Sequence, residues 1–386
     1  MAESAESPRL HATPQTVRVR TPPRPMRFPR LIPVLSLLAM PADAQTLHLG
    51  NYADAIHATD FDPATGRLGP SRAVAPLARA SFLDRSADGR FLYAVAEGKP
   101  GLLAAFAIGP DGALVPVNTR PSEGSGPCDI ALSPEGRLVA VANYGGGSVS
   151  VHRVAGDGAL GETVAFFQHT HAADAHPDRQ KRPHAHGVTW TPDGRLLLVP
   201  DLGGDRVYVY ARQPDDTFAP NPAQPWLALA PAVGPRHAQF SPDGRHLYVI
   251  NELDNTIAVA TYQAEAATLA LTQTLSTLPA EGFAGFTKTA EIAVRPDGRF
   301  VYASNRGHDS IAVFARDADT GRLTPGGHAA VPANPRHFAL SPDGRWLLSA
   351  GQDADAIRVF AIDAVTGKLT PAGVDLATPK PVCVRF

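Results

Sequence analysis

The sequence predicts an all-β protein, a seven-bladed β-propeller closed by a blade shared between N- and C-terminal strands. Three observations predict it. A turn of the Pro-Asp-Gly type recurs six times, with its glycines at Gly89, Gly136, Gly194, Gly244, Gly298 and Gly344. The spacings of 47, 58, 50, 54 and 46 residues contain strand signals alone, and a period near 50 of this kind is a propeller repeat. The two ends of the repeat region also carry complementary fragments of one further unit.

Each unit can be read physically. An apolar stretch such as His237–Phe240 leads into the turn, where Pro presets φ and Gly accepts a left-handed backbone. A nearly continuous apolar run follows, as in His246–Ile250, which suits a strand buried on both faces. After a short polar loop comes an alternating strand, such as Ser148–Val151 or Ser310–Phe314. A fourth strand follows a D-x-x-TG-x-L turn, as in Asp319–Leu323. Four antiparallel strands make a blade. Residues 46–68 resemble the second half of a unit, and Pro381–Phe386 a lone first strand. Joined, they give a seventh blade with its innermost strand from the C-terminus, and the ring has no open edge.

Composition agrees. Gly (34) and Pro (37) are abundant among 386 residues, as many tight turns require. The formal net charge of −2 offers no electrostatic footprint for nucleic acid or anionic lipid. Two cysteines, Cys128 and Cys383, cannot form a disulfide framework and read as small buried hydrophobes; a single bridge would need Cα atoms within about 7 Å. Residues 1–25 lack an apolar period and read as a disordered extension. Residues 26–44 resemble a secretory signal: Arg27 and Arg30, the apolar run Leu31–Met40, then Ala42-Asp43-Ala44. The propeller domain is expected over 45–386, in an exported protein if the leader is cleaved and otherwise a cytoplasmic one.

Topology places a candidate site. The start of each first strand and the end of each second strand lie at the same mouth of the channel. First-strand starts carry Cys128-Asp129, His184 and His186, Arg236-His237, Glu291 and Arg336-His337. Second-strand ends carry Asn51-Tyr52, Glu97, Asn143-Tyr144, Asp201, Asn251-Glu252, Asn305-Arg306 and Gln352. A concave polar cluster on an apolar scaffold is a binding-site candidate. Arg forks recognise phosphate or carboxylate, so an anionic ligand is expected. Many of these residues also have a purely structural reading, tying turns or neutralising buried charge. Five histidines between His169 and His186 read as a loop over the mouth more readily than as a metal site, since no HExxH and no Cys accompany them. There is no GxSxG elbow, P-loop, dinucleotide fingerprint or basic stripe. Gly145-Gly146-Gly147 lacks a following helix to make a phosphate cradle.

The segments RPHAHG, VPDLGGDRVYVY, GPRHAQFSPDGRHLYVINEL, SNRGHDSIAVF and NPRHFALSPDGRWLLSAGQDADAIRVF resemble the seven-bladed lactonase family. That family includes the propeller-type 6-phosphogluconolactonases and the 3-carboxy-cis,cis-muconate cyclases. The resemblance covers residues 46–386. It implies a catalytic His from PHAH (His184 or His186), Arg236, Glu252 and Arg306; of the other mouth positions, His237, Arg336, His337, Asn143, Tyr144, Asp201, Glu291 and Asn305 are the substrate-binding candidates. It implies a lactone hydrolase, without metal or other cofactor, acting on a small anionic sugar lactone. A monomer is expected, with no nucleic-acid partner, given the net charge, and no stable membrane span in its mature form, given the short apolar run. The alternatives are a muconate-type cyclase at the same site and an exported propeller that binds a ligand or protein without turnover.

Overall fold

The computed structural model describes residues 43–386. The expectations for residues 1–25 and for all but the last two residues of the leader-like segment fall outside the described residues. Seven antiparallel sheets account for the rest. Six blades take their strands in chain order from the channel outward, beginning at Ala80, Pro127, Thr189, Pro235, Lys288 and Pro335. In the seventh, the C-terminal strand Pro381–Arg385 is innermost and pairs with Gln45–Asn51; Ala55–Phe61 and Arg72–Pro76 follow.

The second strand of each blade is apolar on both faces because it lies between two neighbouring sheets; Leu196–Asp201 and His246–Asn251 are buried throughout. Buried apolar residues of adjacent blades merge into shared clusters, such as that of Leu247, Val249, Leu198 and Val209. Tyrosine hydroxyls add directional ties to the next blade, Tyr248 to the Gly321 carbonyl (2.9 Å) and Tyr302 to that of Gly367 (3.0 Å).

Two irregularities shape the channel. Most innermost strands bulge at their second residue. Pro235 pairs with Asn251 but His237 with Ile250, leaving Arg236 unpaired; Pro335/His337 and Pro127/Asp129 repeat the shift around Arg336 and Cys128. A bulge breaks the period of two, so consecutive residues can both face one side. The third blade departs from the expected full first strand. Only Thr189–Trp190 forms a ladder there, preceded by a bridge between Ala185 and Asp201. The cause is Pro200 in the neighbouring strand. Its carbonyl accepts the His186 N–H (2.9 Å), but it has no N–H to return. The Cys128 thiol instead donates to the His186 carbonyl at 3.4 Å. Both cysteines are free and buried.

Candidate active site

The bulges sort the channel's polar residues into two tiers. The bulge residues Cys128 and Arg336 face the mouth. With Glu97, Tyr144, Arg179, His186, Glu252, Lys288 and Arg306, they line a cavity of about 270 Å³. The residues that follow them, Asp129 and His337, line a separate compartment with Phe82, His237 and Glu291. This compartment opens to the other end of the channel, where the larger cavity of about 850 Å³ lies. The mouth is the better candidate. Charges of the lower compartment largely satisfy one another: Glu291 meets His237 Nδ1 at 3.0 Å and His337 Nε2 at 3.5 Å, and Arg385 pairs with Asp84.

At the mouth, Glu252 is the hub. It lies just past the strand His246–Asn251, where its N–H donates to the Gly234 carbonyl (2.7 Å). Its Oε1 accepts from Arg179 at 2.8 Å. Its Oε2 lies 2.7 Å from an Arg306 nitrogen, 3.3 Å from Arg236 Nε and 3.7 Å from His186 Nε2. Burial would raise the Glu252 carboxyl, but the charges of Arg306, Arg236 and Arg179 outweigh it and hold it well below the usual carboxylate range. Burial, helped by Arg236, pushes His186 well below 6.5, so its imidazole is neutral at pH 7. Burial lowers Arg306 to about 10. Carbonyls fix the arginines as well: Arg306 donates to Thr289 O at 2.6 Å, and Arg236 to Ala290 O.

Of the other sequence-derived candidates, Tyr144 and Arg336 reach the cavity. Tyr144 Oη accepts from Arg179 at 3.1 Å, and the Arg336 guanidinium lies over the Tyr52 ring at 5.4 Å. His184 does not line it. Its ring stacks behind Tyr144 at 4.3 Å, and its Nδ1 is engaged by the Tyr144 carbonyl at 2.9 Å. That geometry separates the two histidines of PHAH. Asp201 clasps the loop instead, accepting from the His184 N–H (2.8 Å) and meeting His169 Nδ1 at 2.5 Å. Asn143 and Asn305 donate to the Ser122 and Thr277 carbonyls, both at 3.0 Å. His237, His337 and Glu291 belong to the lower tier: His237 and His337 follow the bulge residues of their strands, and Glu291 lies within the irregularity between Thr289 and Ile292. Burial would raise Glu291, but the two histidines bring it to about 2.

Two cavity residues escaped the sequence reading. Lys288 opens its first strand, a position equivalent to those searched, so a signal was present. Arg179 lies in the irregular 169–186 segment, where no periodicity marks which side chain turns inward. Among the described residues no three His, Cys, Asp or Glu side chains are grouped to hold a metal ion, and no helix is long and apolar enough to cross a membrane.

The model of the seven-bladed β-propeller lactonase family matches residues 46–386. The chain is 30% identical to the 6-phosphogluconolactonase of Bacillus subtilis over 282 residues, covering 72% of this chain and 79% of that protein. It superposes on the periplasmic gluconolactonase of Pseudomonas aeruginosa with a TM-score of 0.84 and 32% identity, covering 89% and 99% of the two chains. A structure from Lactobacillus plantarum gives 0.81 and 31%, with 89% and 99% coverage. The ring, its closure and these matches agree: the chain belongs to the lactonase family of seven-bladed β-propellers.

Proposed function

We propose that this lactone hydrolase opens sugar lactones at the Glu252 mouth, with His186 as general base. The observation that carries the reading is His186 Nε2 and the Glu252 carboxylate 3.7 Å apart in a cavity lined by Arg179, Arg306 and Arg336. That separation is too long for a direct hydrogen bond and lets both groups hold one water. Glu252, so far below its usual range, is a feeble base but a firm acceptor that orients the water. His186 takes the water proton as oxygen attacks the lactone carbonyl. The charge that develops on the carbonyl oxygen faces Arg306, which need not reorganise because the Thr289 carbonyl and Glu252 already fix it, and Arg236 holds Glu252 in place from outside the cavity. Collapse of the tetrahedral intermediate breaks the ring C–O bond, and the imidazolium returns its proton to the leaving alkoxide. The product acid ionises and releases one proton.

That proton is the assay. In a pH-stat, purified protein should consume base with a six-carbon aldonolactone or its 6-phosphate, and His186→Gln and Glu252→Gln should each lose about 100-fold or more in kcat/KM. Wild-type turnover of either lactone with full activity in both variants would move the chemistry elsewhere. The 6-phosphogluconolactonase relative and the gluconolactonase neighbour support a sugar lactone as substrate.

Export is part of the reading. The leader-like sequence over residues 26–44 and the similarity to the periplasmic gluconolactonase of Pseudomonas aeruginosa support it. N-terminal sequencing of the mature protein should begin at Gln45; an intact leader on the active protein would place it in the cytoplasm.

A further inference from the structure

The cations at the mouth fall into two groups. Arg179, Arg236 and Arg306 are committed: each approaches Glu252 within 3.3 Å. Each also makes a further hydrogen bond, to Tyr144 Oη, Ala290 O and Thr289 O respectively. Lys288 and Arg336 line the same cavity and differ in kind. Among the described residues neither has a carboxylate within salt-bridge distance or a side-chain hydrogen bond. Each meets only the face of an aromatic ring, Arg336 that of Tyr52 at 5.4 Å and Lys288 that of Phe286 at 5.8 Å. The carboxylate nearest in kind, Glu97, is already taken by the Tyr52 hydroxyl (2.9 Å) and by Arg79 (3.3 Å). Arg79 also covers the Tyr52 ring, at 5.2 Å, so Tyr52 sits against two guanidinium groups.

A cation held against a ring face keeps its N–H groups for another partner. Lys288 is half-buried, and burial together with Arg306 and other nearby arginines disfavours its charge. An anion between Lys288 and Arg336 would relieve both. The catalytic cluster does not need them, since Glu252 already has its arginines.

We propose that Lys288 and Arg336 are the specificity-determining residues of this enzyme, selecting lactones that carry an anionic substituent, phosphate or carboxylate, away from the reacting carbonyl. The inference rests on the mouth being the hydrolytic site. Arg336 supplies a fork that matches two oxygens of either group, and Lys288 a point charge.

The test is a ratio. kcat/KM is measured for glucono-δ-lactone, for 6-phosphoglucono-δ-lactone and for the carboxylate-bearing muconolactone, in wild type, Lys288→Met, Arg336→Met and Lys288→Arg. The preference for an anionic over the neutral lactone should fall at least tenfold in each Met variant, chiefly through KM, and Lys288→Arg should restore most of it. The anionic lactone whose preference collapses identifies phosphate or carboxylate as the selected group. Equal losses on neutral and anionic lactones, or a ratio moved less than twofold, overturns the proposal. Inorganic phosphate gives a second readout that needs no turnover. It should raise the Tm of wild type and not of Lys288→Met or Arg336→Met; the same rise in all three also overturns it. If no lactone is turned over but phosphate stabilises only wild type, the lactone-hydrolysis reading fails and the anion site stands.

Discussion

Glu252 is buried among Arg179, Arg236 and Arg306. Removing its charge leaves those cations without their shared counter-ion, and breaking a buried ion pair costs about 3–5 kcal/mol. Glu252→Gln should therefore lower Tm as well as activity, and comparison of thermal denaturation with kcat/KM separates the two effects. The cysteines behave oppositely. Burial raises the Cys128 thiol well above its usual value and Cys383 to about 12, so neither offers thiolate at neutral pH. Iodoacetamide should leave both unlabelled in the native protein and label both in denaturant; rapid native labelling of Cys128 would contradict its burial. At this scale the sequence was only partly informative. It listed Glu252, His186, Arg236 and Arg306, but gave no means of separating His186 from His184, because ring orientation depends on Tyr144 and Asp201 from other strands.

The elements matter through their irregularities. Arg236 and His237 are adjacent, so an ideal strand would turn one away from the channel; the bulge lets both face it, one tier apart. The 169–186 segment, which carries Arg179, docks closely on the turn after Leu196–Asp201. A Cβ at Gly203 would collide with the Arg182 carbonyl. Gly203→Ala should push that segment outward and lower kcat/KM about tenfold through displacement of Arg179, with a smaller change in Tm. Equal activity in this variant would show that Arg179 does not have to sit on Glu252. None of this was legible beforehand: a bulge leaves the apolar pattern on both sides of it intact, and the docking segment has no pattern.

The whole molecule depends on closure. Pro381–Arg385 supplies the inner strand of the seventh blade, and Val382, Cys383 and Val384 are buried. A chain ending at Lys380 exposes the edge of Gln45–Asn51 and should lose cooperative thermal unfolding. The fold also carries a pH dependence. Burial lowers His152 and His337 to about 4. Between pH 6.5 and about 4 the unfolded chain binds protons that the folded chain refuses, so the contribution of these two histidines makes stability fall as pH drops through that window. Asp129, raised to about 6 by burial, has the opposite sign: below about pH 6 the folded state takes up its proton first, which offsets part of the loss. Tm should therefore decline from pH 6.5 to 4, and His152→Asn should flatten the decline.

The sequence alone determined the ring. Six spaced turns, apolar second strands and two complementary ends require seven blades and a shared closing blade, because period and burial are properties of each segment taken singly. The tertiary structure decided which polar residues meet. It put His186, Glu252, Arg179 and Arg306 in one cavity, with Arg236 held against Glu252 beside it, and His237, Glu291 and His337 in another, and among the described residues it left Lys288 and Arg336 without a carboxylate partner. Those outcomes depend on one-residue bulges, on a proline that cannot donate and on contacts between blades more than fifty residues apart, for instance Arg179 with Glu252. Local pattern does not encode them, because the free energy that fixes each side chain comes from neighbours that only the closed ring brings near.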